Sequence, residues 1–210
     1  AGVRVFSRPE AMLRLVDRLS CTVTLGNAGI PMPATQVTED IDAAVEAVQT
    51  FGSAIFKPLF STKARGMCVI DSAAGSESVR SDIEAFSREN PMMYIQQRVD
   101  LPGRDLGMVF LAGRYVSTYA RVAQQDSWNT TINSGGRYAA FDPDPSLIAL
   151  GQQAQDLFGL DFTTVDIAES GDGPIVFEVS AFGGFRGALE GCGVDAAGAY
   201  ADHALAEVTA

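Results

Sequence analysis

Two acidic side chains, Asp166 and Glu178, lie on strand-like runs that flank a turn with the sequence Ser-Gly-Asp-Gly-Pro. If the hairpin is centred on Asp172, side-chain alternation with period two places Asp166 opposite Glu178. Facing Cβ atoms lie about 4.5–5.5 Å apart, so two carboxylates there repel each other unless a cation lies between them. Because Mg²⁺ prefers oxygen ligands of this kind, the pattern predicts a magnesium site, and the alternative is a solvated acidic face.

The rest of the hairpin supports this pairing and leads into a second feature. The same centring predicts three further facing pairs: Val165 with Val179, Ile167 with Phe177, and Thr164 with Ser180. The segment that starts at Ser180 reads Ser-Ala-Phe-Gly-Gly-Phe-Arg-Gly, a glycine-rich turn that leaves an apolar strand. Glycine allows a ligand to approach the backbone closely, so this turn is a candidate binding element.

A basic set lies earlier in the chain. Lys57 ends the apolar run Ala-Ile-Phe-Lys-Pro, and Lys63, Arg65 and Gly66 follow in a short loop. A lysine at the end of a buried strand either extends its amine to solvent or meets a ligand. These cations can hold phosphate oxygens, and the alternative is a solvated basic turn. The chain contains neither a GxxxxGK[ST] nor a GxGxxG phosphate motif.

Composition limits the class of protein. The chain has 210 residues, of which 47% are hydrophobic and 20% charged, enough for one compact domain or two small lobes. A net charge of −11 argues against a nucleic-acid binder. The 3 cysteines are widely spaced, which indicates free thiols in a reducing, cytoplasmic compartment. No apolar run reaches the ~20 residues of a membrane span, and no secretory signal opens the chain.

Hydrophobic periodicity locates the helices that must position these residues. Residues 10–19 repeat apolar side chains with helical spacing, and we expect this helix to continue towards Asn27. Another helix is predicted over residues 76–89. Three acidic residues precede further helical patterns as N-caps: Asp40, Asp144 and Asp195.

Short apolar or alternating runs predict the strands. In the first half these runs are residues 34–37, 54–57, 67–70 and 92–97. In the second half, Leu106–Leu111 and Tyr115–Val122 alternate around Ala112-Gly113, which predicts a tight hairpin. The pattern is interrupted between Gln97 and Gly103, so we expect two lobes, residues 1–97 and 98–210.

In this order the features resemble the ATP-grasp superfamily, and more narrowly the RimK-like carboxylate–amine ligases. The resemblance covers nearly the whole chain. It is carried by these features: Gly-Ile-Pro-Met-Pro-Ala-Thr at 29–35, the strand ending in Lys57-Pro58, Gly-Arg-Asp at 103–105, Arg121 before a polar loop that ends Gly135-Gly136, Asp166 and Glu178. The ending that starts Gly-Phe-Arg-Gly-Ala-Leu-Glu-Gly at residue 184 is similar to the tetrahydromethanopterin:L-glutamate ligase-like branch.

The resemblance implies an α+β chain with the ATP-grasp fold, in which two α+β lobes hold the nucleotide between them. It further implies an ATP-dependent ligase that joins a substrate carboxylate to an amino acid, L-glutamate, through an acyl phosphate, in C1-carrier cofactor biosynthesis. The cofactors would be ATP and Mg²⁺, or Mn²⁺ in its place. The partners would be the small carboxylate acceptor and the amino acid, with no nucleic acid or membrane, and we expect a homo-oligomer.

The resemblance also implies roles for individual residues. Arg121 and Lys57 would be catalytic, and Asp166, Glu178 and Ser180 would hold the metal. The nucleotide would contact the following residues: Lys57, Lys63, Arg65, Gly66, Gln96, Gln97, Arg98, Val99 and Asp105. The substrates would contact the following residues: Arg121, Asn129, Gly183 and Arg186.

The chain departs from the family pattern at several of these positions. Ser180 replaces the Asn that usually follows the metal-binding Glu by two residues, and Gly107 replaces the Arg of a Gly-Arg-Asp-Ile-Arg motif. Gln97 stands where Glu is common in the hinge. Asn129 and Thr131 stand in a loop that usually carries a basic residue and an Asn near its end. The alternative function is therefore a catalytically degenerate ATP-grasp module that binds nucleotide or a pterin-like ligand as a partner subunit.

Three other residues carry weaker interpretations. His203, the chain's 1 histidine, is interpreted as a surface or packing residue on the last helix. Cys192 is interpreted as a structural thiol. Trp128 either stacks on a heterocycle or anchors the polar loop by packing.

Overall fold

The computed structural model describes residues 3–124, 130, 132 and 135–209, and in it the chain forms two compact units. One unit contains residues 33–100, and the other joins residues 1–32 to residues 101–210. The described helices and strands are, in chain order, α1 (Pro9–Val16), α2 (Arg18–Asn27), β1 (Thr35–Thr38), α3 (Ile41–Phe51), β2 (Ser53–Lys57), β3 (Cys68–Asp71), a short 3₁₀ helix (Ser72–Ala74), α4 (Ser76–Glu89), β4 (Met93–Gln97), β5 (Arg104–Leu111), β6 (Arg114–Val122), β7 (Arg137–Ala140), α5 (Pro145–Asp156), β8 (Phe162–Ser170), β9 (Gly173–Ser180), α6 (Phe185–Cys192) and α7 (Ala196–Thr209).

The unit of residues 33–100 is an antiparallel sheet covered by two helices. Its strand order is β1-β4-β2-β3. Apolar residues of α3 and α4 pack on one face of the sheet, against alternate residues of the strands such as Phe56, Met93 and Ile95. The predicted N-cap is confirmed, because a carboxylate oxygen of Asp40 accepts a hydrogen bond from the Ala43 amide at 2.9 Å.

The second unit is built on a five-stranded antiparallel sheet with the order β7-β6-β5-β8-β9. One face packs against α1, α2 and α5, and the other packs against α6 and α7. The predicted hairpin between β5 and β6 is confirmed. Its two turn residues, Ala112 and Gly113, have φ angles of 49° and 74°, the two positive values that a type I′ turn requires.

The first predicted helix is wrong in one respect, because the chain forms two helices rather than one. Asp17 separates α1 from α2 with an extended backbone, at φ −81° and ψ 105°. Its side chain accepts a hydrogen bond from the Leu19 amide at 3.0 Å. Asp17 thus serves as the N-cap of α2, and a cap takes non-helical dihedral angles that end the preceding helix.

The pairing predicted for the hairpin of β8 and β9 is confirmed around Asp166 and Glu178, but the prediction is wrong near the turn. Asp166 faces Glu178, and the flanking pairs Val165 with Val179 and Thr164 with Ser180 follow in register. Ile167, however, pairs with Val176 rather than Phe177, because a β-bulge follows Asp166. The turn is one residue tighter than predicted, since Ser170 pairs with Gly173, and the bulge absorbs the difference.

The compact units differ from the expected lobes in the first 32 residues. The expected N-terminal lobe includes those residues, whereas Leu15, Cys21 and Leu25 of α1 and α2 belong to the core of the second unit with Val176 and Val179. The other boundary, between residues 100 and 101, lies close to the expected one. Among the described helices, none is both long and apolar enough to cross a bilayer.

Candidate functional site

The acidic pair lies on a row of residues that crosses all five strands of the larger sheet. The register places side by side, from β7 to β9, Ala140, Tyr119, Gly107, Asp166 and Glu178. Directly paired residues in a sheet point to the same face. The neighbouring row contains Tyr138, Arg121 and Asp105, which pair in the same way. The two rows bring the predicted Arg121, Asp105, Asp166 and Glu178 together on one sheet face.

Arg121 lies between two carboxylates. Its Nε donates to both oxygens of Asp105, at 3.1 and 3.2 Å, and its terminal nitrogen also donates to Asp105. The same terminal nitrogen lies 3.0 Å from Oδ2 of Asp166. All three side chains are largely buried, with exposed fractions of 19% for Arg121, 6% for Asp105 and 13% for Asp166. The structure therefore places Asp105, which was predicted to approach the nucleoside, against Arg121.

A second arginine, which the sequence reasoning missed, binds the other member of the pair. Arg18, the first residue of α2, lies with a guanidinium nitrogen 3.1 Å from Oε2 of Glu178. The two residues are 160 positions apart in the chain. No local motif marks this contact, because it depends on how α2 packs against β9.

The surroundings oppose joint ionisation of the acidic residues. The pKa of Asp166 is raised from its ordinary 3.8 to about 7, chiefly by burial; Arg121 acts to lower it, and Glu178 and Asp105 act to raise it. Burial acts to lower the pKa of Arg121, but Asp166 and Asp105 outweigh burial and hold that pKa well above its ordinary value. The guanidinium group therefore keeps its charge, and Asp166 is the group whose charge depends on what binds beside it.

One oxygen atom of the acidic pair, Oδ1 of Asp166, is suited to bind a cation. Asp166 Oδ1 is buried and has no hydrogen-bond partner among the described residues, and a buried oxygen of that kind calls for a missing partner. The part of the chain that the structure describes contains no group of three or more His, Cys, Asp or Glu side chains arranged around a metal position. Mg²⁺ usually uses only one or two carboxylates together with waters and substrate phosphates, so Asp166 and Glu178 are a sufficient protein set.

The glycine-rich turn makes room for aromatic rings of the protein itself. A Cβ built on Gly184 or Gly187 would lie 2.3 Å from an atom of the Tyr119 side chain, and one on Gly107 would lie equally close. A Cβ on Gly183, a predicted substrate contact, would lie 2.4 Å from the Phe162 ring. The close backbone approach that the glycines allow is therefore to Tyr119 and Phe162.

Tyr119 is the second residue that the sequence reasoning missed. Its ring lies over Gly107, its direct partner on β5, and fills the position that Gly107 leaves without a side chain. The signal was present, because an isolated glycine inside a strand marks close approach by a neighbouring group. The Gly184 amide donates to Thr164 Oγ1 at 2.8 Å, which attaches the turn to β8.

In the smaller unit, Lys57 forms part of a buried polar cluster. Its ammonium group donates to Oε1 of Gln96, and the Gln96 amide nitrogen lies 3.2 Å from both the Thr35 hydroxyl and the Tyr94 hydroxyl. Only 9% of Lys57 and 2% of Gln96 is exposed. These residues occupy the sheet face opposite the apolar core, because they alternate with Phe56 and Ile95.

The predicted phosphate loop and hinge belong to this same unit. Lys63, Arg65 and Gly66 are exposed, and the Arg65 side chain donates to Thr62. Lys63 and Gly66 have positive φ angles of 58° and 70°. In the hinge, the Gln97 amide donates to the Ala34 carbonyl and the Arg98 amide to the Ser53 carbonyl, while Val99 is half-buried. The backbone of the hinge at Gln97 and Arg98 is thus held in place by hydrogen bonds from its amides.

The remaining predicted residues are placed as follows. Arg186 is exposed and pairs with Glu190 one helical turn away, at 2.7 Å. Ser180 ends β9, where its carbonyl accepts a hydrogen bond from Thr163 at 2.7 Å. Asn129 lies outside the described residues, as do Trp128 and Thr131. His203 lies 3.7 Å from Asp161, and Cys192 donates to the Thr118 carbonyl.

Comparison with known proteins gives a consistent result. The family model of the RimK-like ATP-grasp domain matches residues 16–203. Tetrahydromethanopterin:alpha-L-glutamate ligase of Methanosarcina acetivorans is 28% identical over 181 residues, which cover 80% of this chain and 54% of that protein. A probable alpha-L-glutamate ligase of Aeromonas salmonicida is 29% identical over 191 residues, which cover 90% of this chain and 63% of that protein. The chain therefore spans less than two thirds of the length of these relatives.

A solved structure shows the same fold. The ATP-grasp ligase PsnB, complexed with a phosphomimetic variant of its minimal precursor, Mg and ADP, superposes with a TM-score of 0.77 at 23% identity. The superposition covers 98% of this chain and 62% of that one. The ATP-grasp fold that the sequence resemblance implied is confirmed.

Proposed function

Because the chain belongs to the RimK-like ATP-grasp domain family, we propose that it is part of an ATP-dependent ligase that joins a substrate carboxylate to L-glutamate. The observation that carries the proposal is the sheet row with Asp166 facing Glu178, next to the charged Arg121. That arrangement combines two carboxylates that can hold a metal ion with a fixed guanidinium group. In phosphoryl transfer, a metal ion and a fixed cationic side chain both stabilise the negative charge of the phosphate oxygens.

The proposed reaction activates a carboxylate in two steps. A carboxylate oxygen attacks the γ-phosphorus of ATP, the bond to ADP breaks, and an acyl phosphate forms. The amine nitrogen of glutamate then attacks the acyl carbon, phosphate leaves with the original carboxylate oxygen, and the nitrogen loses a proton. The protein's contribution is to position the reactants and to stabilise negative charge.

Each residue of the site has a role in this scheme. Asp166 and Glu178 would hold Mg²⁺, with Ser180 close by on the same strand. A bound Mg²⁺ supplies positive charge beside the phosphate oxygens. Arg121 keeps its charge, and its guanidinium group, which is held by Asp105 and Asp166, would supply fixed positive charge beside a phosphate or acyl phosphate. Separately, Lys57, whose ammonium group donates to Gln96, is proposed to contact a phosphate or the adenine of the nucleotide.

The identity of the ligands is supported by the relatives. The similar ATP-grasp ligase was solved with Mg and ADP, which supports ATP and Mg²⁺ as the cofactors here. Both relatives are named glutamate ligases, and one is named for tetrahydromethanopterin. We therefore propose L-glutamate as the amine and place a tetrahydromethanopterin-type C1 carrier first among the acceptors to be tested.

One observation favours the alternative, a module that binds nucleotide without turnover. The Tyr119 ring fills the row position over Gly107 next to Asp166, where the family pattern has an arginine. A site that lacks this cation has one donor fewer for a transferred phosphate. In that case nucleotide binding would persist while the amide-forming reaction would be absent.

Isotope transfer distinguishes the two functions. We expect the protein, given ATP, Mg²⁺, L-glutamate and ¹⁸O-labelled carboxylate acceptors that include tetrahydromethanopterin, to release phosphate that carries ¹⁸O. With hydroxylamine in place of glutamate we expect a hydroxamate, since that nucleophile traps an acyl phosphate. Absence of phosphate release and of hydroxamate with every acceptor, together with calorimetric binding of an ATP analogue, would support the binding module instead.

Matched variants relate the result to the site. Asp166→Asn and Glu178→Gln each remove one charge with little change in volume, and we expect each to lower phosphate release by at least about 100-fold. Asp172→Asn removes the same charge from the exposed turn of the same hairpin, and it should retain wild-type activity. Equal activity of all three variants would contradict the assignment of the acidic pair.

A further inference from the structure

Arg18 lies in a position that helix stability does not explain. It is the first residue of α2, where the helix dipole disfavours a cation. Its side chain is only 10% exposed, and arginine is rarely buried unless it is paired. Its guanidinium group reaches Glu178 on β9, at 3.1 Å. The burial and the ion pair together indicate that the contact with Glu178 contributes to this placement.

The two arginines hold the acidic pair in the same manner. Arg121 contacts Oδ2 of Asp166, and Oδ1 of that carboxylate has no hydrogen-bond partner among the described residues. Arg18 contacts Oε2 of Glu178. Because the carboxylate is rigid, holding Oε2 also restricts where the second oxygen can lie. Each carboxylate is thus oriented through one oxygen, as groups behind a metal ligand commonly orient it.

We propose that Arg18 is a positioning residue, which orients Glu178 so that the carboxylate can bind the divalent cation that accompanies the nucleotide. The inference rests on the proposed function, because it concerns the same cation. It assigns a role to the first helix pair of the larger unit, since α2 then contributes directly to the geometry of the acidic pair.

A competing explanation predicts the opposite sign. When all of its carboxylates are ionised, the cluster of three carboxylates and two guanidinium groups carries one net negative charge: Asp105, Asp166, Glu178, Arg18 and Arg121. If Arg18 only neutralised Glu178, its removal would make the cluster more negative and would strengthen cation binding. If Arg18 orients Glu178, its removal leaves that side chain, which is already 42% exposed, free to turn away from the cation.

The test measures binding rather than turnover. The affinity for a non-hydrolysable ATP analogue is measured by calorimetry in Mg²⁺ and in EDTA, and the ratio gives the gain due to Mg²⁺. We expect Arg18→Met to reduce this gain about 10-fold, the size typical for loss of a group that orients a metal ligand. Affinity in EDTA should stay within about twofold of wild type. Arg18→Lys keeps the charge without the planar fork and should lose less.

Arg104→Met is the matched control. It breaks another arginine–carboxylate pair on the same sheet, with Glu169, whose atoms lie 2.9 Å apart, and it should leave the Mg²⁺ gain unchanged. An unchanged or larger gain in Arg18→Met would overturn the inference alone. Absence of any Mg²⁺ gain in the wild type would overturn the proposed function and this inference together. If Arg18→Met does not fold, Arg18→Lys decides, because a gain equal to or larger than that of wild type would refute the role.

Discussion

Replacing Asp166 with Asn should make the ligand-free protein more stable at high pH than the wild type. Burial raises the pKa of Asp166 to about 7, so the folded protein favours its neutral form. In the unfolded chain the carboxyl ionises near its ordinary 3.8. The folded state therefore binds more protons than the unfolded state between these values, and the contribution of Asp166 to stability falls as pH rises through that window.

The magnitude follows from the two pKa values. Each tenfold change in a proton equilibrium is worth about 1.4 kcal/mol, so the full loss of unfolding free energy is about 4 kcal/mol. Between about pH 5 and about pH 8.5 the wild type should lose about 3 kcal/mol relative to Asp166→Asn. Asparagine stays neutral throughout, keeps nearly the same volume, and still offers Arg121 a carbonyl oxygen.

Urea unfolding in EDTA, followed by circular dichroism across this pH range, measures the difference. Asp172→Asn is the control, because that carboxyl is exposed in the turn of the same hairpin. The unfolding free energy of Asp172→Asn should vary with pH in the same way as that of the wild type. If the unfolding free energy of Asp166→Asn also varied with pH as that of the wild type does, the reasoning would be refuted. Such a result would mean that the Arg121 ion pair outweighs burial and keeps Asp166 ionised.

Three further predictions follow from single contacts. Gly187→Ala should lower the free energy of unfolding in urea by about 1–3 kcal/mol, because the added Cβ would lie 2.3 Å from the Tyr119 ring. Gly171→Ala is the control: open space surrounds that position, so the free energy of unfolding should change little. Lys57→Met should weaken binding of an ATP analogue at least about 10-fold by calorimetry; unchanged affinity would remove Lys57 from the nucleotide site. The Cys21 thiol, whose pKa burial raises to about 11, should react with a thiol reagent only after denaturation, and reaction in the native protein would contradict its burial.

Local sequence patterns predicted much of the fold. The caps at Asp40 and Asp144 are confirmed, because a short acidic side chain satisfies the first free amides of the helix that follows it. The facing of Asp166 and Glu178 is confirmed as well, since strand alternation and a nearby turn determine it. These features depend on residues close together in the chain, and for that reason the sequence displays them.

One feature within the hairpin itself was not visible in the sequence pattern. The bulge after Asp166 changed the partner of Ile167 because one residue of the strand had to be absorbed without turning the acidic pair to the other face.

The amino-acid sequence by itself determined which side chains could do chemistry and which of them share a strand face. Only the tertiary structure decided that Arg121 lies between two carboxylates, that Arg18 binds Glu178, and that glycines surround Tyr119. The physical reason is that charge pairing and close packing depend on distances of a few ångströms. Segments as far apart as α2 and β9 reach those distances only when the whole core has formed.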